Sequence, residues 1–440
     1  MTIRRVVIIG GGPGGYAAAL EAARRGAIVT LVEAERPGGQ CVHHTCIPTA
    51  SLLSGAGAFL EAHEPALAGV FDLGEELRWG RLVARKDRLA AMLASGIGVA
   101  LDRAGVEVVA GRAVLTSPSE VELTIRDGSV QTRDADAVVV AVGARWEAPS
   151  VDGVAPERVV TADVIATLDK PPGAAVVLGG GPGATAFGVE YAFLLAATGS
   201  TTALACPEPV VVPALDADLD PLVRAAIESV GVACCDWSEM PTDDDRLVVA
   251  ADTRVPRIDD LGLAAAGVAA SDHVVVDRAQ RTSARSVFAA GDVTGGAMTS
   301  AAAEHAGRVA GANAAGGAVS ASVSALPHVL HTLPEIGWVG ATEPVARAAG
   351  HAVATGVADL TWSARSITLG GREGACKVIA DATTGALLGV HVVGAGAAEI
   401  LAVAAFAMQA ECTLDQVAAT VQWHPAFAEA LSAAAREALR

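Results

Sequence analysis

Residues 4–35 read RRVVIIGGGPGGYAAALEAARRGAIVTLVEAE, which predicts a strand, a glycine turn, a helix and a second strand. The apolar run from Val6 to Ile9 is typical of a strand buried within a parallel sheet. A helix that starts just after such a strand exposes free N–H groups and the positive end of its dipole, and both attract phosphate. The stretch therefore predicts a dinucleotide-binding unit.

The glycines of this stretch have the spacing G-x-G-x-x-G, at Gly10, Gly12 and Gly15. The first glycine permits the tight turn, the second lets the backbone approach a pyrophosphate, and the third lets the helix pack on the strand. Glu33 ends the second strand, at about the distance expected for an acid that binds a ribose. The strand, the helix and the acidic residue all lie at the positions that the motif requires, so we interpret the glycine turn as a ligand-binding site.

Composition limits the possible functions. A chain of 440 residues with 52% hydrophobic residues and 48 glycines is long enough for about three domains of α/β type. Its net charge of −18 argues against nucleic acid as a partner, because phosphates are bound by Lys and Arg. No apolar run is long enough for a membrane span or a signal peptide. We expect a cytoplasmic protein that binds neither nucleic acid nor membrane.

Two cysteines follow the glycine unit in the segment GGQCVHHTCIPTASLL, residues 38–53. Cys41 and Cys46 are spaced too widely for the usual zinc pair, and no second pair at zinc spacing follows, so we expect no metal. If they form a disulfide, at least one lies off a regular helix, because five helical residues rise about 7.5 Å. Pro48 suits the first turn of a helix that begins near Cys46, where a thiolate is stabilised. A redox pair is the favoured interpretation.

These motifs resemble those of the two-dinucleotide flavoprotein disulfide reductases, such as dihydrolipoamide dehydrogenase, glutathione reductase and mercuric reductase. The family pattern GG-x-C-x4-C-I-P is matched from Gly38 to Pro48, and the resemblance extends nearly from end to end. It implies an α/β fold with two Rossmann-like dinucleotide-binding domains and a C-terminal α+β dimerisation domain. The implied domains are an FAD-binding domain (1–150 and 272–318), a shortened, degenerate NAD(P)-binding-like domain (151–271) and a dimerisation domain (325–440).

The resemblance also implies a site built on FAD in a homodimer. Cys41 would be the thiol that meets the substrate, Cys46 would face the flavin, and Asp292 would bind the ribityl chain. His424 and Glu429 match the family's proton-transferring dyad, which reaches the cysteines of the other subunit. The cofactor-binding residues are expected to be Gly10, Gly12, Gly14, Gly15, Glu33, Gly39, Gly143, Gly291 and Asp292.

The second dinucleotide region departs from the family pattern. A fingerprint that starts at Gly179 leaves Glu190 four residues late, whereas one that starts at Gly183 places Thr185 where a central glycine should approach the pyrophosphate. The following strand ends in ALAC, without an acid or an arginine, and Glu208 is displaced. The family's lysine near flavin N5 is replaced by Ala50, which predicts a Glu190 without its partner. We therefore expect NAD(P)H to bind poorly.

Three functions are compatible with these observations. The first is an FAD enzyme that oxidises a small-molecule or carrier-tethered thiol through Cys41 and Cys46, with electrons passed to flavin and then to oxygen or another acceptor. The second is an NAD(P)H-dependent disulfide reductase such as a dihydrolipoamide dehydrogenase. The third is a non-catalytic flavoprotein scaffold, which the retained cysteines and His424–Glu429 disfavour. His43 and His44 are either solvated loop residues or part of the substrate entrance, and the solvated interpretation is preferred.

Overall fold

The computed structural model describes residues 3–63, 77–179, 186–206, 210–243, 245–251, 253–321, 325–371 and 373–440. In chain order the strands are β1 (Arg5–Ile9), β2 (Ile28–Glu33), β3 (Glu107–Ser117), β4 (Glu120–Ile125), β5 (Val130–Asp134), β6 (Ala137–Val140), β7 (Ala144–Trp146), β8 (Val159–Thr161), β9 (Ala174–Leu178), β10 (Thr201–Cys206), β11 (Ala233–Asp236), β12 (Leu247–Ala250), β13 (Arg254–Pro256), β14 (Val287–Ala289), β15 (His328–Leu330), β16 (Ile336–Gly340), β17 (Val353–Asp359), β18 (Ala375–Asp381) and β19 (Leu387–Val393).

The helices connect and cover these strands. In chain order they are α1 (Pro13–Arg24), α2 (Gly39–His43), α3 (Cys46–Ala62), α4 (Trp79–Arg103), α5 (Phe187–Ala197), α6 (Asp220–Glu228), α7 (Ser300–Ala314), α8 (Glu343–Ala348), α9 (Ala364–Ile367), α10 (Ala397–Gln409), α11 (Leu414–Ala419) and α12 (Glu429–Ala438). None of the helices among the described residues is both long enough and apolar enough to cross a bilayer.

The chain divides into two compact units, of which the first comprises Met1–Ser51, Val83–Glu147 and Thr253–Val323. Its main sheet has the strand order β14-β6-β1-β2-β3-β4-β5. The strands from β14 to β3 are parallel, and β4 and β5 add an antiparallel edge. This is the doubly wound arrangement that the first glycine motif predicts.

The apolar side chains of β1 are buried on both faces of this sheet. Val6 and Ile8 belong to one hydrophobic cluster, and Val7 and Ile9 belong to another. Successive side chains of a strand point to opposite faces, so a continuous apolar run is needed where both faces are covered. This burial explains why the opening strand lacks polar residues after Arg5.

The second unit comprises Leu52–Leu82, Ala148–Asp252 and Ser324–Arg440 and contains two five-stranded sheets. The order of the first is β11-β10-β9-β12-β8, and its strand pairs are parallel. The order of the second is β15-β16-β19-β18-β17, and its pairs are antiparallel. The α/β fold with two Rossmann-like sheets and a C-terminal α+β part is confirmed. Residues 253–271, which we had assigned to the middle domain, lie in the first unit, where β13 pairs with β7.

A buried ammonium ties the two sheets of the second unit together. Lys377 on β18 is 1% exposed, and its Nζ lies 3.0 Å from Asp216, 2.6 Å from Asp218 and 2.9 Å from Glu343. Asp216 and Asp218 follow β10, whereas Glu343 starts α8. Burial disfavours the charge, but the hydrogen bonds to Asp218, Glu343 and Asp216 outweigh it and raise the pKa of Lys377. The lysine therefore stays charged inside the unit.

Helices α1 and α7 of the first unit approach each other through glycines. A Cβ atom on Gly307 would lie 2.1 Å from the carbonyl oxygen of Gly14, and one on Gly311 would lie 2.2 Å from that of Ala18. These are contacts with backbone, which cannot rotate away as a side chain does. The packing of α7 on α1 thus requires glycine at both positions.

Replacing Gly307 should therefore destabilise the first unit. We expect Gly307→Ala to lower the free energy of unfolding by about 1–3 kcal/mol, the usual cost of overpacking. Gly96→Ala in α4 is the matched control, because a Cβ there meets nothing within 4 Å. It should raise stability by about 0.5–1 kcal/mol through its helix propensity. Urea unfolding of both variants measures the difference, and equal effects would contradict the packing argument.

Candidate active site

The predicted cofactor residues of the first unit gather at the carboxyl ends of its parallel strands. Gly10 follows β1, and its φ of +99° together with a Cβ position 2.4 Å from the carbonyl oxygen of Ala141 excludes any side chain. The remaining members of the set follow β1, β2, β6 or β14, namely Gly12, Gly14, Gly15, Glu33, Gly39, Gly143, Gly291 and Asp292. Ligands of open α/β sheets bind at this edge.

The chemistry of these residues fits FAD. Gly12 begins α1 without a side-chain cap, which leaves the first N–H groups of the helix for a pyrophosphate. A Cβ on Gly39 would lie 2.6 Å from the Cα of Gly12, so two backbone segments line the phosphate approach. Glu33 lies beside the turn, where one carboxylate oxygen accepts the N–H of Gly11 at 2.6 Å. These residues would hold the pyrophosphate and ribose, and Asp292 would hold the ribityl chain.

The two cysteines lie on adjacent short segments. Cys41 is on α2, Cys46 is the first residue of α3, and both are free thiols. The helix break at His44 and Thr45 leaves the two thiols close enough to influence each other's ionisation. A single regular helix through both residues would separate them by about 7.5 Å along its axis. Their disulfide in the oxidised protein stays a prediction.

The surroundings of the pair favour ionisation of one cysteine over the other. The hydrogen bond from Cys41 lowers the pKa of Cys46, burial opposes it, and the hydroxyls of Ser300 and Thr45 and the charge of Arg254 lower it further. The same thiol contact and burial raise the pKa of Cys41. The Cys46 Sγ lies 3.2 Å from the Ser300 Oγ and 3.7 Å from the Thr45 Oγ1. The pair is therefore arranged to hold one proton on Cys41 and a thiolate on Cys46.

The histidines between the cysteines turn toward the preceding loop. The Nε2 of His43 lies 3.1 Å from the carbonyl oxygen of Pro37, and the Nε2 of His44 lies 2.9 Å from a carboxylate oxygen of Glu35. Both contacts hold the loop before α2. His43 is the last residue of α2 and His44 caps it, and both half-buried rings are bonded to this loop rather than fully solvated.

The predicted dyad is formed within the second unit. The Nδ1 of His424 lies 3.0 Å from Oε1 of Glu429, whose other oxygen accepts the N–H of Ala426 at 2.9 Å. That backbone hydrogen bond, followed by the one from His424, lowers the pKa of Glu429. The His424 side chain is 70% exposed, so its Nε2 edge is open to an approaching molecule. A fixed carboxylate sets the tautomer of such a histidine.

In the second glycine region, Gly188 packs closely on Gly179. A Cβ on Gly188 would lie 2.7 Å from the Cα of Gly179, which follows β9. These two glycines are nine positions apart in the sequence. Gly181, Gly183, Ala184 and Thr185 lie outside the described residues, and so does Glu208.

Glu190 has a partner, contrary to the prediction of an unpaired acid. Its carboxylate is buried and accepts the backbone N–H of His331 at 2.7 Å. The two residues lie 141 positions apart, and no local pattern predicts their contact. Its interaction with a backbone donor satisfies the carboxylate without the lysine that Ala50 replaces.

Other cysteines and acids make no second redox or metal site among the described residues. Cys234 and Cys235 lie on β11 with their pKa values raised, in the first place by burial. The single cluster whose ligand atoms could share one ion is Asp216, Asp218 and Glu343. The ammonium of Lys377 lies among those oxygens.

Sequence reasoning missed two groups beside the cysteines. Ser300 and Arg254 approach Cys46 from segments more than 200 positions away in the chain. Thr299 and Ser300 at the start of α7 resemble an ordinary helix cap, which Thr299 indeed supplies by accepting the N–H of Ala302. No local pattern marks the second hydroxyl as a partner of a thiolate.

The chain is similar in sequence to a family of oxidoreductases and to dihydrolipoyl dehydrogenases. Residues 4–307 match the family described as pyridine nucleotide-disulphide oxidoreductase, and residues 326–435 match its dimerisation domain. Dihydrolipoyl dehydrogenase of Chlorobaculum tepidum is 32% identical, with 99% of this chain and 97% of that protein covered. The Bacillus subtilis dihydrolipoyl dehydrogenase is 30% identical, with 97% and 96% covered.

Two solved structures extend this likeness. LpdA from Mycobacterium tuberculosis superposes with a TM-score of 0.88 at 28% identity, with 99% of each chain covered. RclA of Escherichia coli, a flavoprotein disulfide reductase induced by HOCl, superposes with a TM-score of 0.84 at 22% identity, with 99% of each chain covered. The second likeness concerns the fold alone.

The hydroxyl of Ser300 should control ionisation at Cys46. Removing a hydrogen bond to a charged group costs about 1.5–3 kcal/mol, so Ser300→Ala should raise the pH at which the Cys46 thiolate forms by about one to two units. Thr45→Val removes the longer contact and should have a smaller effect. The pH dependence of Cys46 alkylation by iodoacetamide in reduced protein, followed by peptide mass, measures both shifts. A larger effect of Thr45→Val would contradict the geometry.

Proposed function

The chain belongs to the pyridine nucleotide-disulphide oxidoreductase family, and on that premise we propose that it oxidises a thiol substrate through Cys41 and Cys46. It is an FAD-dependent disulfide oxidoreductase. The proposed substrate is a small-molecule or carrier-tethered dithiol, and the proposed final acceptor is oxygen or another oxidant. The observation that carries the proposal is the asymmetric Cys41–Cys46 pair beside Ser300.

The pair is suited to thiol–disulfide exchange. A substrate thiolate attacks the sulfur of Cys41, and the electron pair of the broken S–S bond leaves on Cys46. Exchange is fastest when the leaving thiol has a low pKa, and the surroundings of Cys46 provide one. The second substrate thiol then attacks the mixed disulfide, which releases the substrate as a disulfide and Cys41 as a thiolate.

The two substrate protons need acceptors. His424, held by Glu429, would take the proton of the attacking thiol, and the Cys41 thiolate released in the second exchange would take the proton of the second thiol. The substrate loses two electrons and two protons, and the enzyme disulfide gains two electrons. FAD, which the residues around Gly10, Glu33 and Asp292 would hold, would supply the acceptor of the electron pair that returns Cys41 and Cys46 to the disulfide.

We propose that the active unit is a homodimer. Residues 326–435 match the family's dimerisation domain, and the exposed dyad lies within that segment. Val421 and Trp423 beside it are 95% and 81% exposed, an arrangement typical of a surface that a partner covers. His424 would then serve the cysteines of the other subunit.

The second unit supports weak binding of nicotinamide nucleotides. Cys206 is the last residue of β10, the strand that follows the second glycine region and α5. Glu33 is the last residue of the corresponding strand of the first unit, β2, which follows the first glycine turn and α1. Cys206 is buried, and burial raises its pKa to about 12, so it offers no charged acceptor to a ribose. Loss of such a hydrogen bond costs about 1.5–3 kcal/mol, or a factor of about ten to one hundred in affinity.

The second candidate is an NAD(P)H-dependent disulfide reductase. Dihydrolipoyl dehydrogenases are about one-third identical to this chain over nearly all of its length, which favours this alternative. The nine-position spacing of the packed pair Gly179 and Gly188 and the neutral end of β10 count against it. A non-catalytic scaffold has no need of an ionisable thiol pair or of a His–Glu dyad.

The electron donor separates the two candidates. We expect dihydrolipoamide or dithiothreitol to reduce the FAD rapidly under anaerobic conditions, whereas NADH and NADPH at micromolar concentration reduce it slowly. Stopped-flow absorbance measures each rate. Cys46→Ser is the control, because it should abolish reduction by dithiols and leave any direct reduction by a nucleotide intact. Rapid bleaching by NADH or NADPH would support the reductase instead.

The dyad can be tested against a second histidine–carboxylate pair. His424→Ala should slow dithiol turnover by about 10² to 10⁴, the usual contribution of a positioned proton carrier, at unchanged FAD content. His351→Ala is the matched control, because His351 Nδ1 also lies beside a carboxylate, 2.6 Å from Asp381. That variant should keep its turnover. Equal rates of dithiol turnover for the two variants would contradict a role of His424 in the reaction.

A further inference from the structure

A polar face of α7 leads away from the cysteine pair. Ser300, whose Oγ lies 3.2 Å from the Sγ of Cys46, is followed after one helical turn by Glu304 and after two turns by Arg308. Residues four positions apart on a helix are neighbours, with about 6 Å between their Cβ atoms. A carboxylate therefore lies one turn from the redox pair, and a guanidinium lies one turn beyond it.

The carboxylate of Glu304 is held in place from α1. One of its oxygens accepts the hydroxyl of Tyr16 at 2.6 Å. Burial and then this hydrogen bond raise the pKa of Tyr16, so the phenol stays protonated and remains a donor. Glu304 thus has a fixed orientation although its side chain is 35% exposed.

Arg308 is only loosely paired with Glu304. Its Nη1 lies 3.6 Å from the Oε2 of Glu304, longer than a hydrogen bond, and its side chain is 58% exposed. It donates no hydrogen bond to the residues that the structure describes. Arg24 of α1, in contrast, donates to Glu21 from both Nε and Nη2 at 2.7 Å. An exposed pair as long as that of Arg308 contributes little to stability, so a ligand can separate its charges at small cost.

The same face lies near Cys41, the thiol that would meet the substrate. Cys41 is on α2, whose first residue, Gly39, packs against Gly12 at the start of α1. The N–H of Tyr16 donates to the carbonyl oxygen of Gly12, one turn along that helix. The neighbouring thiol and burial raise the pKa of Cys41, and the charge of Glu304 adds to their effect. The packing of α1 and α2 and this electrostatic effect agree in placing the carboxylate close to the thiol.

We propose that Glu304 and Arg308 are specificity-determining residues that select a thiol substrate with a free α-amino acid head group. The inference rests on the proposed function, since it assumes that thiols are oxidised at Cys41 and Cys46. The ammonium of the substrate binds the carboxylate of Glu304, and the carboxylate of the substrate binds the guanidinium of Arg308. The substrate class is then a small-molecule amino-acid thiol rather than a thiol tethered to a carrier.

The two side chains complement such a head group. An amino acid presents an ammonium and a carboxylate on one carbon, as close together as the opposite charges of Glu304 and Arg308. Binding replaces one weak ion pair within the protein by two charge-assisted contacts with the substrate, and it leaves the net charge of the site unchanged. A neutral thiol such as dithiothreitol gains neither contact.

The test compares L-cysteine with analogues that lack one charge. Two molecules of cysteine supply the two thiols of the exchange and leave as cystine, having lost two protons and given two electrons to the enzyme disulfide. N-acetylcysteine lacks the ammonium, and cysteine methyl ester lacks the carboxylate. Anaerobic stopped-flow absorbance of the FAD-bound protein gives the second-order rate constant of flavin reduction for each of these thiols and for dithiothreitol.

Each substitution should affect only the thiols that carry the charge it recognises. Glu304→Gln should slow reduction by cysteine and by its methyl ester about tenfold relative to dithiothreitol, and it should spare N-acetylcysteine. Arg308→Gln should slow cysteine and N-acetylcysteine to a similar extent and should spare the methyl ester. Because each value is a ratio of variant to parent for one thiol, differences in intrinsic reactivity cancel.

Two further variants make the result specific. Tyr16→Phe removes the hydrogen bond that orients Glu304 and should slow the amine-bearing thiols by a smaller factor. Arg24→Gln removes an arginine that is 67% exposed in an ion pair of the same unit, and it should leave all four thiols unaffected. Equal slowing of all four thiols in Glu304→Gln and Arg308→Gln would indicate a structural effect and overturn the inference, as would unchanged rates in both variants.

The parent protein separates this failure from failure of the proposed function. A parent whose flavin is reduced by dithiothreitol, with variants that show no dependence on the charges of the thiol, overturns the inference alone. A parent whose flavin is reduced by none of the thiols overturns the proposed oxidation of thiols and the inference with it. If Glu304→Gln does not fold, the contrast between cysteine and its methyl ester in Arg308→Gln decides the matter, because that side chain is exposed.

Discussion

Close contact between backbone atoms is the constraint on which the first unit depends. A Cβ on Gly15 would lie 1.8 Å from the carbonyl oxygen of Gly10, and one on Gly307 would lie 2.1 Å from that of Gly14. These contacts hold the start of α1 at the edge of the sheet and pack α7 against α1. Ser300 at the start of α7 is thereby placed beside Cys46. The contact between its hydroxyl and the thiol therefore depends on the close packing of backbone atoms rather than on polar interactions.

The parts of the structure predicted from sequence are those that local patterns specify. The apolar run of β1 and the glycines after it predict a buried parallel strand and a tight turn, and the break between Cys41 and Cys46 follows from helix geometry. The family resemblance supplied the pairing of His424 with Glu429, and the structure places Nδ1 and Oε1 3.0 Å apart. Each of these features lies within about thirty consecutive residues.

The missed features involve distant residues or lengths that no pattern reveals. Ser300 lies 254 positions from Cys46, and Glu190 lies 141 positions from the N–H that it accepts. The packing of Gly188 on Gly179 was also missed, because the two glycines do not have the spacing of the first motif.

The buried lysine of the second unit gives a reason why the part that resembles a nucleotide-binding domain has been retained. Two of the three carboxylates around Lys377 come from the segment after β10, outside the C-terminal sheet. Removing partners from a buried charge costs roughly 3–5 kcal/mol, a large share of the stability of a typical domain. Mutations can therefore erode the nucleotide contacts of this half while selection against unfolding preserves its framework. We therefore expect the sequences of related proteins to vary more around Cys206 than at Asp216.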